Sequence, residues 1–352
     1  MKTIPIAVIG LNFGRHIIGE LSKRPASDLF RLAAVCDINQ ERVRAVSSET
    51  GVPGFTDIGE LLGQCDAPAI GLFTGPVGRA ALIRQILEAG RHVITTKPFE
   101  NDPEAAMAVL DTAREKGLAV HMNSPSPSLP PDLAVIRKWQ ESRNLGRPLA
   151  CQTSVWVRYR EKQDGSWYDD PLLCPVAPVF RLGIYLINDM VRLMGEAGRV
   201  SVHASRLFTG RPTDDHALLA ISFRNGSLGS VMASFCVEDG DIYQNSMILN
   251  FERGTVYRNV GPTRRGSGRG VTELSLVMGT NETGRSIAAE HSCEHGSGAY
   301  SWEDFHRAVA QGPGHEDLRP EEIVAGLRII EAMREASRSG GTSVVKPARS
   351  SS

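Results

Sequence analysis

The sequence predicts an α/β protein: an N-terminal Rossmann domain on a doubly wound parallel sheet, then an α+β domain with a large, mostly antiparallel sheet. Three observations predict it. In the first third of the chain, short and almost wholly apolar runs alternate with amphipathic stretches, as buried parallel strands alternate with covering helices. Beyond a proline-rich break, strand-like runs follow one another with hairpin signals between them. The length, 352 residues, favours two domains over one.

In order, Ile4–Ile9 reads as a strand, Gly14–Arg24 as a helix and Leu32–Cys36 as a second strand. Gln40–Thr50 is helical, Ala69–Phe73 a strand, and Val77–Ala89 an amphipathic helix that Gly90 stops, since glycine readily takes the left-handed turn that ends a helix. His92–Thr95, the helix Asp102–Lys116 and the strand Leu118–His121 complete a sheet whose ligands belong at the carboxyl ends of its strands. Asn123–Pro131 holds four prolines and breaks this rhythm, which sets the expected domains at 1–124 and 125–352, the terminal helix being able to pack back on the first. After it come a helix at Pro131–Ser142, a long strand at Ala150–Arg160 and a helix at Phe180–Met194. Strands are expected at Val200–Leu207, Ala217–Phe223, Leu228–Val237, Ile242–Phe251, Thr255–Asn259 and Val271–Val277, with Asn225-Gly226 as a turn signal. Trp302–Ala310 and Pro320–Ser337 are closing helices, and residues 261–270 and the tail from Pro347 read as loops.

Composition excludes several function classes. With 39 Lys+Arg against 40 Asp+Glu, there is no bulk positive charge to bind nucleic acid or an anionic membrane. No run approaches the roughly 18 apolar residues of a membrane span, and the apolar start at Ile4–Leu11 is too short and too soon followed by Asn12, Arg15 and His16 to read as a signal peptide. Six scattered cysteines without a Cys-x-x-Cys pair suit a reducing compartment, so a cytoplasmic protein is expected. His291, Cys293 and His295 match no common zinc spacing, and no metal is expected.

The first strand runs into Gly10-Leu11-Asn12-Phe13-Gly14. A dinucleotide fingerprint needs glycine where the chain turns sharply and where backbone approaches a pyrophosphate. Here Asn12 takes the middle position and the third glycine comes one place early. The second strand ends at Asp37, where a carboxylate can accept hydrogen bonds from the adenosine-ribose hydroxyls and repel a 2′-phosphate. Strand, glycine turn, helix, strand and acid in this order predict NAD, in preference to NADP; the alternative for Asp37 is the N-cap of the next helix. The fifth strand delivers Thr95-Thr96-Lys97-Pro98 to the same edge, where Lys97 is either a surface lysine or a cation within reach of nicotinamide and substrate.

At these residues the chain resembles the glucose–fructose oxidoreductase, inositol dehydrogenase and rhizopine-catabolism family, Gfo/Idh/MocA. Ala89-Gly90-Arg91-His92-Val93-Ile94-Thr95-Thr96-Lys97-Pro98 is similar to the family's A-G-K-H-V-x-x-E-K-P, with Thr96 in place of the glutamate. Thr74-Gly75-Pro76 resembles the loop that packs on the cofactor, with Arg79 where a histidine is common. Arg181-Leu-Gly183-Ile-Tyr185-Leu-Ile-Asn188 resembles the helix D-x-G-x-(H/Y)-x-x-(D/N), with arginine in place of the aspartate. The resemblance implies a hydride-transferring oxidoreductase on a sugar, polyol or sugar acid, with Thr74, Pro76, Asn123 and Trp167 beside the cofactor. It also implies a homodimer or homotetramer through the C-terminal sheet.

The chemistry can be read from the residues as well. Moving a hydride off an alcohol carbon requires loss of the hydroxyl proton to a base. Tyr185 is a poor base unless cations favour its phenolate, and Lys97 and Arg181 supply them if the two domains face each other across a cleft. Arg181, Tyr185 and Asn188 are spaced to share one helix face. Arginine grips carboxylates in bidentate fashion, so Arg181, with Arg158 and Arg160 near the end of a strand, points to an acidic substrate. The alternatives are a packed core tyrosine, and an Arg181 that pairs with Asp169 or Asp170. Two other functions fit the same pattern: a cofactor-binding sensor without turnover, and an epimerase or glycoside-cleaving enzyme that oxidises its substrate transiently with bound NAD.

Overall fold

The computed structural model describes residues 3–239, 243, 245–261, 270–294, 296–314 and 318–347. The chain divides into two compact units, Met1–Ser128 with Tyr300–Pro320, and Leu129–Ala299 with Glu321–Ser352.

The first unit follows the alternation of apolar runs. Its elements are β1 (Ile4–Ile9), α1 (Leu11–Leu21), α2 (Ala26–Leu29), β2 (Phe30–Cys36), α3 (Gln40–Thr50), β3 (Gly54–Phe55), α4 (Ile58–Gln64), β4 (Ala69–Leu72), α5 (Arg79–Glu88), β5 (His92–Thr95), α6 (Pro103–Glu115) and β6 (Val120–Met122). The six strands form one parallel sheet in the order β3-β2-β1-β4-β5-β6. Ile6, Val8, Val35, Ile70 and Val93 are fully buried, as strands covered on both faces require. The chain winds outward through β2 and β3, then returns to lay β4 beside β1. That reversal leaves a crevice at the carboxyl ends of β1 and β4, where open α/β sheets take their ligands.

The second unit begins with α7 (Pro131–Ser142) and β7 (Pro148–Trp156), and then α8 (Ile184–Met194). Strands β8 (Ala197–Ser205), β9 (His216–Phe223), β10 (Leu228–Ser234), β11 (Asn245–Phe251), β12 (Gly254–Arg258), β13 (Val271–Thr280) and β14 (Gly284–Glu294) follow. Helix α9 (Trp302–Gln311) groups with the first unit, where Phe305 stacks on Phe30 at 5.6 Å and Trp302 meets it edge-on at 5.8 Å. Helix α10 (Pro320–Ser339) and β15 (Thr342–Val344) complete the list, and α10, apart from its first residue, groups with the second unit. The nine-stranded sheet runs β14-β13-β12-β11-β7-β10-β9-β8-β15, antiparallel except for the pair β7–β10. α8 packs on β7 and β10, and a buried arginine ties it to its neighbours: Arg258 of β12 donates to Asp132 of α7 at 2.8 Å and to Asp189 of α8 at 2.7 Å.

Several elements differ from expectation; α2, β3, α4 and β15 have no counterpart among the expected elements. The helix expected over Phe180–Met194 opens with a π-type turn, Val179–Gly183, and becomes α-helical at Ile184. β14 has no apolar run to mark it, since its side chains are exposed or half-exposed. The strand expected from Ile242 starts at Asn245; Ile242 and residues 262–269 of the expected loop lie outside the described residues, as does the tail after Pro347. Among the described residues no helix is long and apolar enough to cross a membrane.

Candidate active site

Where β1 meets α1, Gly10 has φ +86° and ψ +82°. A Cβ there would lie 2.7 Å from the carbonyl carbon of Phe73 and 2.8 Å from the nitrogen of Thr74, so both the turn and the close approach demand glycine. At Gly14 a Cβ would sit 2.9 Å from the side chain of Val8, so this glycine lets helix and strand close together although it comes one place early in the fingerprint. Helix α1 begins with no side-chain cap and no acid in its first turn, and Asn12 and Phe13 are exposed there. Such a terminus suits a pyrophosphate. Asp37, 6% exposed, accepts a hydrogen bond from the Leu11 N–H at 2.7 Å and from the Asn39 N–H at 2.8 Å, and Arg42 donates to it at 3.2 Å. Asn39, not Asp37, caps α3, its side chain accepting from the Arg42 N–H. The carboxylate is thus fixed beside the glycine turn, and these residues fit a dinucleotide.

Two further loops reach the same edge. Thr74 and Pro76 lie between β4 and α5, with Pro76 buried. Beyond β5, the Lys97 N–H donates to the side-chain oxygen of Asn123 at 3.2 Å, and the Thr96 hydroxyl lies 3.4 Å from the same oxygen. Asn123 follows β6 and is buried, while Lys97 is half-buried. His121 is buried against the ring of Phe305 at 5.6 Å.

In the second unit, Tyr185 is the second residue of α8 and half-buried. Its ring lies against Gly298, which has φ +103° and where a Cβ would come within 3.1 Å of Cδ1 and Cε1. The neighbouring Ser297 hydroxyl makes a short hydrogen bond to Asp189. Burial pushes the Asp189 carboxyl above its usual range, against the pull of Arg258. Asn188 is buried, its oxygen 2.0 Å from where a Cβ on Gly326 would stand. Trp167 opens a short 3-10 turn, its ring 4.1 Å from that of Tyr168 and tilted by 39° to it.

Arg181, expected to grip a substrate anion, is paired with a carboxylate of the protein itself. Its two terminal nitrogens each donate to one oxygen of Glu161 at 2.7 Å, and its guanidinium lies 4.0 to 4.9 Å from the rings of Tyr168, Phe235 and Tyr159. Glu161 thus fills the fork through which a ligand carboxylate would be held. Arg211 joins the cluster through Glu161, Asp164 and Asp169. Burial opposes ionisation of Glu161, but both arginines hold its carboxyl below the usual value. Arg158 pairs with Glu238 and Arg160 lies over the ring of Phe208 at 4.6 Å. Arg181 stands in the π-type turn Val179–Gly183, and Tyr185 and Asn188 in the α-helical stretch that follows. Glu161, Arg211 and Gly298 carry no local motif that sequence reasoning could use. Among the described residues no group of three or more His, Cys, Asp or Glu is placed to hold a metal ion, and His295 lies outside them.

Residues 4–124 match the family model GFO_IDH_MocA, described as an oxidoreductase family with an NAD-binding Rossmann fold, and residues 133–257 match the family's C-terminal domain. A levoglucosan dehydrogenase from Pseudarthrobacter phenanthrenivorans is 23% identical over 263 residues, 65% of this chain and 67% of the relative. A galactose 1-dehydrogenase from Pseudomonas fluorescens is 39% identical over 98 residues, 27% of this chain and 30% of the relative. The chain thus spans from under a third to about two thirds of the curated relatives it matches. A solved structure of levoglucosan dehydrogenase in complex with NADH shares the fold at a TM-score of 0.75 and 18% identity, over 99% of this chain and 100% of that one.

Proposed function

We propose, for a chain that belongs to the Gfo/Idh/MocA oxidoreductase family, that it oxidises a hydroxyl-bearing carbon of a neutral sugar or polyol, with NAD as acceptor. The observation that carries the reading is the anchoring of Lys97: its backbone N–H is held by buried Asn123 at the carboxyl end of β5, the edge at which Gly10 and Asp37 fit a dinucleotide. Gly10, the first turn of α1, Thr74, Pro76 and Asp37 would hold the cofactor, with Trp167 as a further contact, and its nicotinamide ring supplies the hydride acceptor when bound. Asp37 favours NAD over NADP, because its carboxylate accepts from ribose hydroxyls and repels a 2′-phosphate.

Tyr185 takes the hydroxyl proton. A free phenol, with a pKa near 10, is a weak base, so a cation must favour the phenolate, and this reading assigns that part to Lys97. Asn188 helps to orient the substrate. A neutral substrate follows from the Arg181–Glu161 pair, since an acidic one would have to break a bidentate ion pair to reach that guanidinium. Levoglucosan and galactose, for which two relatives are named, are neutral sugars.

The test is a panel of neutral and carboxylated sugars and polyols, followed by nicotinamide absorbance with NAD and with NADP. Net reduction with neutral substrates is expected, falling about 10²–10⁴-fold in Tyr185→Phe and Lys97→Ala. Turnover confined to carboxylated sugars overturns the neutral assignment. Full turnover in both variants overturns the roles. The same reading expects a dimer or tetramer through the nine-stranded sheet, and light scattering that finds a monomer at working concentration rejects it.

A further inference from the structure

We propose that Arg79 and Glu100 form a reciprocal clamp that sets the position of Lys97; this rests on the reading of Lys97 as the active cation. Arg79 opens α5 and is 2% exposed. One terminal nitrogen donates to the carbonyl of Thr96 at 2.7 Å and to that of Pro98 at 2.9 Å, the two residues that flank Lys97. The other donates to the carbonyl of Thr74. In the opposite direction, Glu100, 3% exposed, accepts the N–H of Ala80 in the first turn of α5 at 2.8 Å. Its other oxygen accepts the N–H of Asn101 at 2.7 Å, which orients the carboxylate.

The arrangement is more than a capped helix. The carbonyls at the end of a strand would ordinarily turn to water; here three of them converge on one planar fork. Asn123 holds the N–H of Lys97 while Arg79 holds the carbonyls on either side, so the lysine's backbone has little freedom to rotate. The same guanidinium reaches Thr74, whose backbone nitrogen faces Gly10 across the turn. Arg79 thereby ties the loop beside the glycine turn to the loop that carries the lysine. A lysine ammonium keeps the charge but cannot reproduce the fork's geometry. Arg79 and Glu100 are positioning residues: they act through Lys97, and an error of about 1 Å in a reacting group costs on the order of 10²-fold in rate.

The deciding variant is Arg79→Lys, which keeps the buried cation; Glu100→Ala tests the other half. In both, kcat is expected to fall about 10-fold or more while the sugar KM stays within about threefold, because a transition-state alignment is lost and ground-state binding is not. Val109→Ala, a cavity in the core of α6, should lower thermal stability and leave kcat unchanged, separating positioning from mere destabilisation. Amide exchange in Arg79→Lys should quicken in both segments 74–78 and 96–101. A kcat within about twofold of wild type in both variants, while Lys97→Ala is inactive, overturns the clamp and leaves the proposed function intact. Quickened exchange confined to α5 also overturns it. Full turnover in Lys97→Ala overturns the underlying reading instead.

Discussion

Arg181 and Glu161 meet as a bidentate pair, each terminal nitrogen 2.7 Å from one carboxylate oxygen, under the faces of three aromatic rings. The arginine is thereby a brace between the π-type turn that precedes α8 and the segment after β7. Glu161→Gln should destabilise the protein by about 2–3 kcal/mol, below the 3–5 of a fully buried pair because Glu161 retains some exposure. Urea unfolding measures this. The same variant should bind carboxylated sugars more tightly than the wild type does, since it releases the guanidinium fork.

The cluster also sets an acid limit. Burial opposes ionisation of both Glu161 and Asp169, but hydrogen bonds from Arg181, Arg211 and backbone N–H groups lower both carboxyls. A depressed folded pKa gives stability that is fully present above the unfolded value, 4.5 for Glu161, and lost as pH falls through the folded one. Stability should therefore be insensitive to this cluster above about pH 5 and decline below about pH 4. Glu161→Gln should make that decline shallower in a pH series of unfolding curves, and an unchanged slope would count against the cluster as its source.

Gly298, with φ +103°, lies against the ring of Tyr185. Gly298→Ala meets both strain at φ +103° and a Cβ 3.1 Å from the ring, so the phenol must shift. Steady-state kinetics should show kcat lowered about 10-fold to 10²-fold, with NAD affinity unchanged.

Asp37 holds the N–H of Leu11 and presents the carboxylate expected to meet the ribose. Asp37→Asn should weaken NAD binding about 10-fold and narrow the preference over NADP, as removal of the repelling charge requires. Fluorescence titration with both cofactors gives the ratio directly. A preference for NADP in the wild type would contradict the role of this acid.

Much of the fold is legible because burial on both faces leaves no choice of residue: β1, β4 and β5 are nearly continuous apolar runs. β14, with neither face buried, carries no such demand, and its residues resemble a loop. Gly10, Gly14 and Asp37 can be read from spacing because a strand, a tight turn and a helix bring them together locally. The partner of Arg181 cannot. Glu161 stands twenty residues upstream in a segment without regular structure, and only the tertiary closure of that segment on α8 brings the charges together. The same holds for Asp132 and Arg258, 126 residues apart in sequence and in contact at 2.8 Å.

The most direct measurement is the rate of NADH appearance with the best neutral sugar of the panel, in wild type, Tyr185→Phe and Lys97→Ala under identical NAD saturation. Steady net reduction is expected in the wild type, and a loss of about 10²-fold or more in each variant, with NAD still bound. Wild-type rates in both variants would contradict that expectation.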